Sequence, residues 1–390
     1  MLEKRKKILF LSSWYPCDFN PTNGNFVQKH AESVHLNNDV VVLSVFSSLT
    51  DKKIRVDHSK SRGVNEIIVY YPKSNLFLIG YLLNLISHMK AFQSGYRIAK
   101  SLLGEIQLIH LNVIYPLGFW AYILKNFKRI PYVITEHSTQ YHLSSDRRHN
   151  SLKLLCARIV LRNASYVLPV SNDLGNNLRK LANNAPYEVI SNVVDDTIFN
   201  IKETQGFSGK KRFIHISTVN DKHKNVSGII RVLAELEKET KDFHLDIVSD
   251  GNFTYLVEMV NELKINDFVS FHSTKTTEEI AHMIQQSDAL LLFSNYENFP
   301  CVIAEAMMCG IPVISTNVNG IPEHVNSESG ILVDRGDAIT LKKVLAEFIS
   351  DKYFFDKNII RNYALKNFSY QSVSLKFSAI YSKVLYEIGE

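Results

Sequence analysis

Short apolar runs separated by helix-length amphipathic stretches recur along the whole chain, and this alternation restricts the fold more than any single motif. In the first half, residues 7–12, 40–46, 67–71, 108–111, 132–135, 166–170 and 188–190 read as strands. The stretches between them carry helical patterns, which argues for a parallel sheet with crossover helices. The second half repeats the scheme. Strand 212–217 precedes a helix with Val226, Ile229, Ile230 and Leu233 on one stripe. Strands 243–249, 268–272, 289–293 and 313–315 follow, with helices at 277–286 and 300–309. A chain of 390 residues exceeds what one core organises, so two doubly wound α/β domains in tandem are expected. The linker is expected within residues 196–211, where Gly206, Ser208 and Gly209 break any periodicity. The final segment has a helical pattern in Val373, Phe377, Ile380, Tyr381, Val384 and Leu385. No repeat period or low-complexity tract is visible.

Composition excludes several classes. With 45% hydrophobic and 21% charged residues the chain is an ordinary globular protein. The cysteines at 17, 156, 301 and 309 make neither a CxxC pair nor a metal-ligand cluster, and read as reduced thiols of a cytoplasmic protein. The basic run Lys4-Arg5-Lys6-Lys7 precedes an apolar stretch too short for a signal peptide. No stretch approaches 18 consecutive apolar residues, the length of a membrane span. Residues 1–196 hold 24 Lys/Arg against 14 Asp/Glu, while residues 197–390 hold 20 against 25. A basic half suits an anionic membrane surface or a phosphorylated acceptor, or is only a solvated face; no nucleic-acid-binding motif accompanies it.

Chemistry concentrates between Glu297 and Glu305. Pro300 is suited to the first position of a helix, with Asn298 or Phe299 at its cap, so Glu297 falls in the loop before the helix and Glu305 over a turn inside it. At about 1.5 Å rise per residue, the two carboxylates could address groups roughly 8–12 Å apart on one extended ligand. Between them, the free N–H groups of the first helical turn, from Cys301 onward, suit an anion. A nucleotide sugar, polyhydroxylated at both ends with phosphate in the middle, meets these demands. Two further glycines stand where a strand gives way to a helix: Gly24 in Asn23-Gly24-Asn25-Phe26, and Gly320 in Asn319-Gly320-Ile321-Pro322-Glu323. Glycine there allows close approach of backbone to phosphate, and each is also simply a helix start. Lys224 reads as opening the helix after the second domain's first strand, where an ammonium needs an anion to compensate it.

The string from Ser294-Asn295-Tyr296-Glu297-Asn298-Phe299-Pro300 through Glu305-Ala306-Met307-Met308-Cys309-Gly310-Ile311-Pro312-Val313-Ile314 resembles the retaining glycosyltransferases of family 4, the glycosyl transferases group 1. The resemblance covers nearly the whole chain. It implies a GT-B fold, two tandem Rossmann-like doubly wound domains with the ligand cleft between them. Residues 1–200 would form the acceptor-binding domain, with a C-terminal helix at 371–390 packing back on it, and residues 207–370 the donor-binding domain. It also implies roles. Gly24 and Gly320 would face the donor diphosphate. Lys224 would clamp the leaving diphosphate, His137 in Thr135-Glu136-His137-Ser138 would stand near the donor sugar, with His110 and His142 nearby, and Glu297 would take the sugar hydroxyls. Glu305 would hold the ribose, supported by Asn298, Phe299, Pro300 and Cys301, and Gly251 and Thr274 would line the nucleotide pocket. The family pairs its lysine with an arginine six residues earlier; here that position is Thr218, and Lys222 is the available substitute.

The expected activity is therefore retaining, metal-independent hexosyl transfer from a UDP- or GDP-sugar substrate, with no cofactor, to a glycan or lipid-linked acceptor in cell-surface polysaccharide biosynthesis. Metal independence rests on the lack of an Asp-x-Asp motif in a suitable strand context. Two alternatives stay open: a nucleotide-sugar 2-epimerase-like isomerase, and a catalytically degenerate nucleotide-sugar-binding subunit, motivated by Thr218. The apolar run 77–86, followed by His88, Met89, Lys90, Arg97 and Lys100, fits either a core-facing crossover helix or contact with the inner face of the cytoplasmic membrane.

Overall fold

A computed structural model describes residues 5–76, 79–138, 141, 151–202, 209–387 and 389. His142, Gly206 and Ser208 lie outside the described residues. The chain divides into two units, Met1–Val193 with Tyr370–Glu390, and Val194–Ser369.

In the first unit, β1 (Lys7–Ser12), β2 (Asp39–Ser48), β3 (Arg55–Ser61), β4 (Val64–Pro72), β5 (Leu108–Asn112), β6 (Tyr132–Glu136) and β7 (Tyr166–Pro169) form one sheet in the order β3-β4-β2-β1-β5-β6-β7. All pairings are parallel except that of β3 with β4. The central strands are buried on both faces, which is why their sequences read as unbroken apolar runs. The helices are α1 (Asn25–His35), α2 (Gly80–Leu103), α3 (Gly118–Lys128), α4 (Ser151–Arg162), α5 (Asn172–Leu181) and the last element of the chain, α13 (Tyr370–Glu387). Val373, Phe377, Ile380, Tyr381, Val384 and Leu385 of α13 are all buried in a core shared with β1, β2 and α1.

Two expectations fail here. Strand β3 was not foreseen, because Val56 is its single large apolar residue and polar side chains suit an exposed edge. Its signal is Arg62-Gly63, a two-residue turn with φ of 45° and 89° at both positions. Residues 188–190, expected as a strand, only flank β7. Tyr187 bridges Val167, and the Glu188 and Ile190 N–H groups bond to the Val167 and Pro169 carbonyls. Pro169 has no N–H with which to continue the ladder.

The second unit's sheet contains β8 (Lys211–Ile216), β9 (Phe243–Val248), β10 (Val269–His272), β11 (Ala289–Leu292), β12 (Val313–Thr316) and β13 (Gly330–Val333). It is parallel throughout, in the order β10-β9-β8-β11-β12-β13. Around it lie α6 (Asp221–Lys224), α7 (Val226–Glu237), α8 (Thr254–Leu263), α9 (Thr277–Gln285), α10 (Cys301–Met308), α11 (Ala338–Ile349) and α12 (Lys357–Phe368). The α7 stripe of Val226, Ile229, Ile230 and Leu233 is wholly buried. The unit begins at Val194, ahead of the expected boundary near 200–207. Val194 N–H bonds to the Phe368 carbonyl, and the Arg361 guanidinium to the Asp196 and Phe199 carbonyls, fastening this segment to α12.

Candidate active site

Strand order decides where chemistry can gather in the second unit. From β8 the chain moves to β9 and β10 on one side, then returns to β11, β12 and β13 on the other. The order reverses between β8 and β11, and open α/β sheets bind their ligands outside the carboxyl ends of the strands at such a point. Thr218, Lys222 and Lys224 follow β8, Gly251 follows β9, Thr274 follows β10, Glu297 to Cys301 follow β11, and Gly320 follows β12. Every residue expected to bind the donor in this unit, apart from Glu305 inside α10, thus sits in a loop, the single turn α6 or a helix start at that edge.

The contact at the reversal is ionic. Lys224 Nζ donates to Glu297 Oε1 at 2.6 Å. Ser294 Oγ donates to the same carboxylate oxygen at 2.9 Å, and the Glu297 N–H bonds to Asn319 Oδ1 at 3.3 Å. Glu297 is buried, so its charge is held by specific partners rather than by water. The two loops are also tied through their backbones, by Asn295 N–H to the His223 carbonyl at 2.8 Å.

This geometry corrects the placement of Lys224. It does not open the helix after β8; it closes the single turn α6, and Asn225 (φ 48°) separates that turn from α7. The start of α7 is capped by Asp221, whose carboxylate accepts from the Ser227 N–H at 2.8 Å and from Ser227 Oγ at 2.7 Å. An ammonium at the end of a turn is favourably placed, and its anion is Glu297. Lys222 lies in the same turn, exposed, and its carbonyl accepts from Asn295 Nδ2 at 3.3 Å. Thr218, where the family has arginine, is exposed too.

The β11–α10 connection differs by one residue from expectation. Pro300 is the cap itself, with extended ψ of 131°, and the helix begins at Cys301. The Ile303 N–H already bonds to the Pro300 carbonyl at 3.1 Å, leaving a shorter cradle for an anion than a free first turn would offer. Phe299 is buried among the apolar side chains beneath, and its ring lies 4.4 Å from that of His324, tilted by 50°. Glu305 is half-buried one turn beyond Cys301, on the same helix face. Gly251 packs so closely that a Cβ on it would lie 2.4 Å from the Thr218 carbonyl oxygen. Thr274 is exposed in the loop before α9. Gly320 begins not the full helix expected but a three-residue 3-10 turn, Ile321–Glu323.

In the first unit, Gly24 caps α1 with φ 63°, and a Cβ there would meet the Trp14 carbonyl at 2.3 Å. The helix starts at Asn25, directly after this glycine. His137 is buried just after β6. Its ring centroid lies 4.5 Å from that of Phe26 and 5.4 Å from that of His30. Burial, and then the neighbouring His30 and His110, hold the His137 imidazole well below its ordinary range, so it is neutral at pH 7. His110, expected nearby, binds Thr135 Oγ1 at 2.7 Å and the Tyr381 hydroxyl at 2.6 Å.

Three contributors had no role in the sequence reading: Ser294 and Asn319, which hold Glu297, and Glu136. Both Glu136 oxygens accept backbone N–H groups, from His137 at 2.9 Å, Ser138 at 2.7 Å and Ile114 at 2.9 Å. Burial pushes its carboxyl up to about 7 against the pull of those donors. The available signal was adjacency, Ser294 three residues before Glu297 and Glu136 beside His137. Among the described residues, no group of three or more His, Cys, Asp or Glu could hold a metal ion.

Two parallel Rossmann-like units in tandem define the GT-B class of glycosyltransferase architecture. A family model described as glycosyl transferases group 1 matches residues 197–366, and one described as glycosyltransferase family 4 matches residues 34–198. Between them they span both units, and the chain belongs to the family 4, group 1 glycosyltransferases. It is similar to N-acetyl-alpha-D-glucosaminyl L-malate synthase of Bacillus anthracis, at 29% identity over 297 residues, covering 72% of this chain and 76% of that protein. Among solved structures, sucrose-phosphate synthase from Thermosynechococcus elongatus matches with a TM-score of 0.76 at 18% identity, over 98% of this chain and 100% of that one. Anabaena HepE, in complex with UDP and glucose, matches with a TM-score of 0.72 at 18% identity, over 97% and 100%.

Proposed function

We propose that this glycosyltransferase moves a hexose-type sugar, with retention of configuration and without an essential metal, from a UDP- or GDP-sugar to a glycan or lipid-linked acceptor. The observation that carries the reading is the Lys224–Glu297 pair at the reversal point of the second sheet, beside the start of α10. A buried carboxylate accepting from one ammonium and one hydroxyl keeps lone pairs for the hydroxyl donors of a sugar. The ammonium, held at that spot before substrate arrives, stabilises charge as it develops on a leaving diphosphate. Glu305 takes the paired hydroxyls of the ribose, with Gly251 and Thr274 on the nucleoside side. His137 acts as a neutral hydrogen-bonding group rather than as a cation. UDP bound by HepE, a structural relative, supports a nucleotide-sugar donor. Its product would belong to a cell-surface polysaccharide, a reading supported by 28% identity over 198 residues to a putative colanic acid biosynthesis glycosyltransferase of Escherichia coli.

A thermal-shift screen over UDP-, GDP- and ADP-sugars tests it, since a bound donor raises apparent stability by mass action. One UDP- or GDP-sugar should raise Tm. Transfer of its sugar should persist in EDTA and give an NMR anomeric coupling that matches the donor's. No shift with any donor would sink the reading, and an epimerised sugar formed without acceptor would replace transfer with isomerisation.

A further inference from the structure

The first ten residues of α2 expose a run of large apolar side chains. Tyr81 is 81% exposed, Leu82 57%, Leu85 46% and Met89 49%, with Ile86 exposed between them. The helix is anchored by its other face, where Ala91, Phe92, Gly95, Ala99 and Leu103 are buried. Phe92 stacks on Trp120 of α3 with centroids 4.1 Å apart. The outward stripe 82, 86, 89, 93, 97, 100 steps by three and four residues, and so lies along one side of the helix. Its first half is apolar, and it ends in Arg97 and Lys100, both exposed. The C-terminal half of α2 thus faces the core, and the N-terminal half does not.

Charge identifies the occupant. Between Glu66 and Glu105 there is no acidic residue, while Lys73, Lys90, Arg97 and Lys100 are all basic. A protein partner would be expected to meet a mixed-charge rim around an apolar centre. An apolar helix end whose neighbours along the sequence are basic and never acidic suits acyl chains beneath anionic headgroups. We propose that α2 docks the protein on an anionic lipid bilayer, with Leu82, Leu85, Ile86 and Met89 entering the headgroup boundary and Lys90, Arg97 and Lys100 facing the phosphates. No helix among the described residues is long and apolar enough to cross a membrane, so the contact is peripheral. It goes beyond the donor reading and does not depend on it.

Sedimentation of the full chain with vesicles, with neither donor nor acceptor added, tests this. Vesicles of equal phosphatidylcholine and phosphatidylglycerol should pull the protein down, and phosphatidylcholine alone should do so several-fold less. Raising salt from ~0.1 M to ~1 M, which shrinks the Debye length from ~10 Å to ~3 Å, should release much of it. The Leu82→Ser, Leu85→Ser, Met89→Ser triple variant should partition at least tenfold more weakly while keeping its melting temperature and its donor-induced thermal shift. Equal sedimentation of that variant, or none of the wild type, would overturn the proposal. So would light scattering that shows a wild-type dimer dissociated by the triple variant, since a second copy would then cover the face.

Discussion

Lys224 and Glu297 come from loops 73 residues apart and meet at 2.6 Å in a half-buried setting, so neither can be removed without consequence for the other. Lys224→Ala strands a carboxylate, and about 1–3 kcal/mol of stability should be lost with it. Adding Glu297→Gln should restore part of that loss, a coupling read from urea melts of the single and double variants. In turnover, Lys224→Ala should lower kcat by roughly 10²–10³ while weakening nucleotide binding far less, and near wild-type turnover would remove this lysine from the mechanism. Histidines set the acid limit. Burial holds His30 of the first unit and His215 of the second at about 4. In the unfolded chain each is protonated below about 6.5, in the fold only below about 4, so the unfolded state takes up the proton first. Stability should therefore fall as pH drops from 6.5 to 4, by about 3 kcal/mol for each group. His215→Asn, keeping a hydrogen-bonding group toward the Leu291 carbonyl and Ser217, should flatten the part of that slope due to the second unit, as read from melts across pH.

At the scale of elements, apolar runs located most of the buried parallel strands to within a residue or two, because a strand covered on both faces has no polar positions to interrupt it; β4 begins three residues before the run read for it, and the edge strand β13 was not read. Where burial is one-sided the signal weakens. Polar β3 escaped notice, and 188–190 was over-read because a short apolar run looks the same beside a sheet as within one. Site loops were legible in residue type but not in partnership. The two glutamates, the lysine and the glycines could each be singled out, yet nothing local to Lys224 says that its anion is Glu297, or that Ser294 and Asn319 hold that anion. Gly251 shows what tertiary contact adds. The loops after β8 and β9 touch through backbone there, so Gly251→Ala should displace the Thr218 carbonyl and weaken donor binding at least severalfold in calorimetric titration. The same affinity as wild type would mean that this loop does not shape the nucleotide pocket.

For the whole molecule, the chain returns at its end to complete the unit it began. The helical pattern in 373–385 foresaw six of the seven side chains that α13 buries, all but Ser374, since 3.6-residue periodicity survives wherever one helix face is fully covered. Phe377 is wholly buried, with its ring 5.0 Å from that of His110. Phe377→Ala should cost about 3–5 kcal/mol, seen as an early transition in denaturant, because the first unit cannot close over the void. The donor reading stands or falls on the second unit, and a crystal structure with a bound UDP- or GDP-sugar tests it most directly. The account predicts the diphosphate between Lys224 and the start of α10, the sugar on Glu297 and the ribose on Glu305. A nucleotide bound away from the carboxyl ends of β8 and β11, with Lys224 and Glu297 still paired only to each other, would contradict it.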